Sequence, residues 1–137
     1  MSKDRIPAIR VIMMPRDTNA FGTIFGGIIL SYIDLAGAVE ARRTSSQRFV
    51  TIALREVVFH APVFVGDLVT YYTDTVRIGR TSITVKVTVE ACGREGAGDT
   101  RLVTDAEVVY VAVDDDRKAV PIVHDDDEPS LFNRGEL

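Results

Sequence analysis

Gly22–Val39 reads GTIFGGIILSYIDLAGAV, and Asp34 is its only residue ionised at neutral pH. Phe25, Ile28, Ile29, Tyr32, Ile33, Leu35, Ala36 and Val39 recur at helical spacing and cover most of a helix circumference. A helix that is apolar nearly all round is buried rather than laid on a surface. The stretch could be mistaken for a membrane span, but it holds four glycines and an acid at mid-length. A charge at that depth costs several kcal/mol in a bilayer. The reading is therefore a buried helix from Gly22 to roughly Thr44, ended by Arg42-Arg43-Thr44-Ser45-Ser46, where cations suit the C-terminal dipole.

Outward from that helix the period changes to two. Upstream, Ile6–Met14 reads as a short opening strand, with Pro7 acceptable at its edge, followed by a polar loop over Pro15–Asn19. Downstream, Val50–His60 is β-branched and aromatic-rich, and Pro62 with Gly66-Asp67 marks a turn. Leu68–Ile78 is the next strand, reversing at Gly79-Arg80. Ile83, Val85, Val87 and Val89 then alternate with Thr84, Lys86, Thr88 and Glu90 as a half-buried strand. After a glycine-rich loop over Gly93–Asp99, Leu102–Val113 is the last strand, apolar enough to lie centrally or against a partner. A strand, one long helix and four strands in antiparallel succession argue for an α+β fold. One helix cannot shield both faces of five strands, so association into at least a dimer is expected.

The bulk composition narrows the function classes. The 137 residues are 46% hydrophobic and 26% charged, enough for one domain with its own core. Residues 1–121 are read as that domain and residues 122–137 as an acidic C-terminal tail. A net charge of -4 gives no global attraction to nucleic acid or anionic lipid, so neither nucleic acid nor membrane is an expected partner. The single cysteine, Cys92, excludes an intrachain disulfide and a cysteine-only metal cage. No zinc-like ligand spacing exists, and Asp114-Asp115-Asp116 reads as a turn whose consecutive carboxylates point apart. His60 and His124 are the only histidines, and no Gly-x-Ser-x-Gly elbow occurs, which disfavours a serine-hydrolase triad. Met1–Arg10 lacks an apolar signal region, so a cytoplasmic location is expected. Carboxylate chemistry is what remains, with no metal and no cofactor.

Two features could carry it. Gly27, Leu30, Asp34, Gly37, Ala38 and Ala41 fall on one helix face, an acid in a strip of small residues with room for another chain or a ligand. Asp34 is either paired with a cation or capping another element, or it is a general base. Gly26-Gly27 is either a tight turn into the helix or an oxyanion site built from free helix N-terminal amides.

The segment Met14–Gly37, with Pro15, Asp17-Thr18-Asn19, Ile24-Phe25-Gly26-Gly27, Asp34 and Gly37, resembles the YciA-type acyl-CoA thioesterases of the hotdog-fold acyl-CoA hydrolase family. Val50-Thr51, Phe59–Pro62, Gly66-Asp67, Gly79–Ile83 and Tyr110–Asp114 extend the likeness to about Pro121. The resemblance implies a hotdog fold, a curved antiparallel five-stranded sheet wrapped around the helix, with subunits joined edge to edge and assembled as trimers of dimers. It implies hydrolysis of acyl-CoA to free acid and coenzyme A at the subunit interface. Asp34 would act as general base or nucleophile, and the Gly26 amide, with Gly27 beside it, would polarise the carbonyl. Asn19 would assist from the opposing subunit. Arg80, Thr81 and Ser82 are candidates for contacting coenzyme A, Arg80 being otherwise a solvated arginine at a hairpin tip. Arg55-Glu56-Val57-Val58 departs from the family pattern of an acid, a small residue and an asparagine before Phe59. The alternative readings are a hotdog acyl-thioester hydratase or dehydratase, which would need His60, and a non-catalytic acyl-CoA-binding module.

Overall fold

Ile83, Val85, Val87, Val89 and Ala91 lie along one face of a single strand and are at most 1% exposed. That face is the floor on which the helix rests. In the computed structural model, which describes residues 5–94 and 97–125, the elements are β1 (Ile9–Ile12), α1 (Gly26–Thr44), β2 (Arg48–Phe59), β3 (Leu68–Ile78), β4 (Ser82–Cys92) and β5 (Arg101–Val113). All five strands form one antiparallel sheet in the order β1-β3-β4-β5-β2. The expected hotdog architecture, one helix against a five-stranded antiparallel sheet, is therefore what the chain forms.

Two sequence expectations need correction. The four strands after the helix do not follow one another in space, because β2 pairs with β5 at the far edge of the sheet and not with β3. The connection from His60 to Asp67 is too long for a two- to five-residue hairpin loop and carries Pro62. It crosses the end of the sheet, where the buried Val63 accepts the Ile24 amide at 2.8 Å. Arg101 on β5 holds it there, bonding to the Asp67 carboxylate at 2.5 Å and the Pro62 carbonyl at 3.1 Å.

The helix, in turn, begins at Gly26 and not at Gly22. Residues 18–24 close on themselves first: Thr18 bridges Ile24, and Gly22 takes a φ of 88°, the left-handed region that glycine occupies without strain. At the other end, Ser45 leaves the helical conformation while its amide still bonds to Ala41, and Asp125 donates to the Thr44 carbonyl. The chain beyond Pro121 is thus tied back to the domain, with Ile122 packed on the core. Residues 126–137 of the expected acidic tail lie outside the described residues. Asp114 spends one carboxylate oxygen on the amides of Asp116 and Lys118, which makes the expected turn.

Ile29, Ile33, Ala36, Gly37 and Ala41 are the buried face of α1. Glu40 fixes its flank, accepting from Thr73 at 2.9 Å and Thr75 at 2.7 Å. The opposite flank is not covered: Leu35 and Phe25 are each 56% exposed. A helix expected to be buried on all sides is thus half open within one protomer. The same flank borders β2, where Val50, Ile52, Val58 and Phe59 are also exposed.

Candidate active site

The open flank is where Asp34 stands. Thr51 of β2 donates to its Oδ1 at 2.6 Å. The Tyr110 hydroxyl of β5 lies 2.5 Å from the Asp34 carbonyl oxygen and 3.2 Å from Oδ1, a bifurcated donation from one proton. Thr51 and Tyr110 are cross-strand partners, so sheet register delivers both hydroxyls to one carboxylate. Burial first, and the adjacent Asp34 carboxylate second, push the Tyr110 phenol well above its ordinary range, so it remains a donor. Among the described residues no cation pairs with Asp34, and its Oδ2 has no hydrogen-bond partner. One oxygen is pinned and the other is unbonded.

Neither Thr51 nor Tyr110 stands out in the sequence as part of the site. The signal that could have found Tyr110 is Gly37, one turn after Asp34. A Cβ at that position would collide with the Tyr110 hydroxyl. The small residue that left room for a ligand or a second chain makes room instead for a phenol of the same chain. A buried tyrosine needs a partner for its hydroxyl, and the helix supplies it.

Gly26 and Gly27 open α1 behind Phe25, which offers no side-chain cap, and no acid occupies the first turn. Their two amides have no hydrogen-bond acceptor among the described residues. Gly26 borders a cavity of about 320 Å³ lined also by Ile29, Phe59, Pro62, Val63 and Val103. Asn19 belongs to this end of the helix. Its Oδ1 accepts from the amides of Phe21 and Thr23, and its Nδ2 donates to Thr23 Oγ1 at 2.8 Å.

Within a protomer the expected residues therefore form two groups. Gly26 and Asp34 are eight residues apart on one helix, about 12 Å along its axis at 1.5 Å per residue. A single thioester carbonyl cannot lie within about 3 Å of the one and one water from the other. Arg80, Thr81 and Ser82 fall in the Asp34 group. They form the β3–β4 reversal beside Ile83, and Ile83, Tyr110 and Thr51 share one row of the sheet. Arg80 is exposed there, while backbone bonds from Ile122, Ala112 and Gly79 hold the three carbonyls.

His60 lines the cavity that Gly26 borders and so belongs to the Gly26 group, not to that of Asp34. Its Nε2 lies 2.8 Å from Asp105 Oδ2. Asp105 shares a face of β5 with Glu107, opposite to the one that Tyr110 and the helix occupy. A hydratase-type histidine and acid pair around Asp34 is not formed within the protomer.

Fold and site together define the class: a hotdog-fold scaffold with a hydroxyl-pinned carboxylate on its central helix. The thioesterase superfamily model matches residues 21–97, which run from the site loop through β4, and the chain belongs to the thioesterase superfamily. Within it, the chain is 40% identical over 116 residues to the acyl-CoA thioester hydrolase YciA of Salmonella typhimurium, covering 83% of this chain and 87% of that one. Among solved structures it is similar to a hexameric hotdog-fold thioesterase of Campylobacter jejuni, with a TM-score of 0.79 and 48% identity over 85% of this chain and 90% of that one. A hexameric thioesterase from Yersinia pestis aligns with a TM-score of 0.82 and 34% identity over 90% of this chain and 99% of that one.

Proposed function

We propose that the protein hydrolyses acyl-CoA to free acid and coenzyme A, in the cytoplasm and without metal or cofactor, as a homo-oligomer built from dimers and assembled as a trimer of dimers. The observation that carries this reading is the state of Asp34: one oxygen held by Thr51 and Tyr110, the other open, and no cation neutralising it. Oδ2 takes a proton from water as the water oxygen bonds to the thioester carbon. The resulting oxyanion is received by the unbonded helix N-terminal amide at Gly26, with Gly27 beside it. Collapse re-forms the carbonyl, breaks the C–S bond and releases the coenzyme A thiolate. Because these two groups lie about 12 Å apart on one helix, each site uses Asp34 from one protomer and Gly26 from its partner. Asn19, at the Gly26 end, then enters from that same partner. Arg80, exposed beside the Asp34 row, and the half-buried Thr81 and Ser82 meet the coenzyme A portion. The names of the relatives support the same substrate class.

Replacing Asp34 with Asn keeps a side chain of the same shape and removes the base. Thiol release from acyl-CoA should fall by roughly 10²- to 10⁴-fold, with assembly unchanged. Wild-type turnover in that variant would remove Asp34 from the mechanism. A single turnover in ¹⁸O-labelled water probes the nucleophile route: the base route puts the label in the acid product of the first turnover, whereas label found on Asp34 requires an acyl–Asp34 anhydride opened by water at the Asp34 carbonyl.

A further inference from the structure

The departure at Arg55-Glu56 has no role in the chemistry above, yet it coincides with three structural oddities. Glu56 has a φ of 56°, a left-handed conformation uncommon for a residue with a side chain. The pairing of β2 with β5 skips between Arg55 and Val58, so Glu56 sits in a bulge of the free edge. Glu56 is exposed and has no ion-pair partner among the described residues, and Arg55 is held only loosely, 3.5 Å from Glu107. Across the sheet, Asp74 pairs with Lys86, Lys86 with Glu107 and Glu107 with Arg55, a row alternating in sign from β3 to β2. An arginine that ends this row at an open edge calls for an acid beside it.

Resting on the reading of the site as shared, symmetry fixes where that edge meets its copy. In a two-fold dimer, whatever residue i contacts on its partner is contacted back. If Asp34 lies against the partner's Gly26, the axis passes midway between them on the helix, near Leu30. Asp34 touches Thr51 of β2, and Gly26 faces Phe59 at 3.5 Å from the position of a Cβ. Thr51 therefore lies beside the partner's Phe59, which puts the axis midway along that stretch of β2, at Arg55. Carried along the helix or along the strand, the one premise places the axis consistently.

We propose that Arg55 and Glu56 form the register lock of the β2–β2 interface between two copies of this chain, Arg55 reaching the partner's Glu56 and the reverse. The lock aligns Asp34 with the partner's helix amides. A strand slipped by two residues would still bury Ile52 and Val58 but would separate the two halves of the site.

Arg55→Glu and Glu56→Arg, each alone, place four like charges at the axis. Dissociation of each variant by sedimentation should strengthen on the order of tenfold or more. An equimolar mixture of the two should recover wild-type assembly and thiol release, because one protomer's two acids then face the other's two arginines. Variants that stay assembled alone, or a mixture that assembles no better than they do, would overturn the lock. If Glu56→Arg does not fold, the Arg55→Gln, Glu56→Gln double variant serves: its dissociation should lose the salt dependence of the wild type, and retention of that dependence would overturn the proposal. Sedimentation reads the lock independently of chemistry, so wild type that assembles but releases no thiol would refute the functional reading alone.

Discussion

Strands β4 and β2 are nearly equal in length and opposite in fate. Six of the eleven residues of β4 are apolar, and its helix-facing row is sealed. Eight of the twelve residues of β2 are apolar, yet Ile52 is 59% exposed and Val58 47%. The strand with more hydrophobic sequence is the less buried one. Composition therefore reports the environment of β2 in an assembly, whereas burial reports it in a single chain. Long apolar edges are what monomeric proteins blunt, and between its terminal Arg48 and Phe59 β2 is blunted by its bulges and by Arg55 and Glu56. Asp34 lies beside this unfinished strand, bonded to it through Thr51.

The comparison can be broken from both sides. Val87→Asp puts an unpaired charge into the sealed row of β4, and the protomer should unfold, a loss of about 4 kcal/mol or more by denaturant titration. Ile52→Asp makes the same chemical change on β2. Its protomer should stay folded, with an unfolding midpoint lowered only by what assembly contributed, separate into monomers by sedimentation and lose thiol release. Equal destabilisation by the two changes would mean that β2 belongs to the protomer core.

Smaller changes sharpen the boundary between the two regions. Gly37→Ala drives a methyl into the Tyr110 hydroxyl. It should cost about 1–3 kcal/mol, the usual penalty for overpacking, and lower turnover. Adding Tyr110→Phe should recover most of the stability but not the rate. The smallest effect is expected at Glu90, on the outer face of β4. Burial raises its carboxyl above the ordinary range, with Arg5 opposing more weakly. The folded state therefore holds the proton more tightly than the unfolded one, and ionisation of Glu90 costs stability as pH rises through the range between the two. Glu90→Gln should raise the melting temperature at pH 7 and leave it unchanged near pH 3.5.

Much of this was legible in the residues, for identifiable reasons. Strands β3, β4 and β5 and the helix follow from local periods, and Asp34 was visible as the one charge in an apolar run. The place of β2 was only half legible: the length of the His60–Asp67 connection and Pro62 speak against a hairpin to β3, but no local signal names β5 as its partner. Thr51 and Tyr110 were missed for a related cause: they meet Asp34 only through the β2–β5 register, which is long-range. The separation of Asp34 from Gly26 was implicit in their spacing all along. Eight helical residues are too far apart for one active site and the right distance for two chains running in opposite directions.

That division is tested most directly by mixing two inactive variants. Asp34→Ala lacks the carboxylate. Gly26→Pro lacks the amide, at a helix position where proline is well tolerated. After dissociation and random reassembly, half the dimers are mixed and each carries one intact site of two, so about a quarter of wild-type thiol release should return if the interface is isologous. A mixture no more active than its parents would show that the carboxylate and the amide do not meet across the two-fold axis.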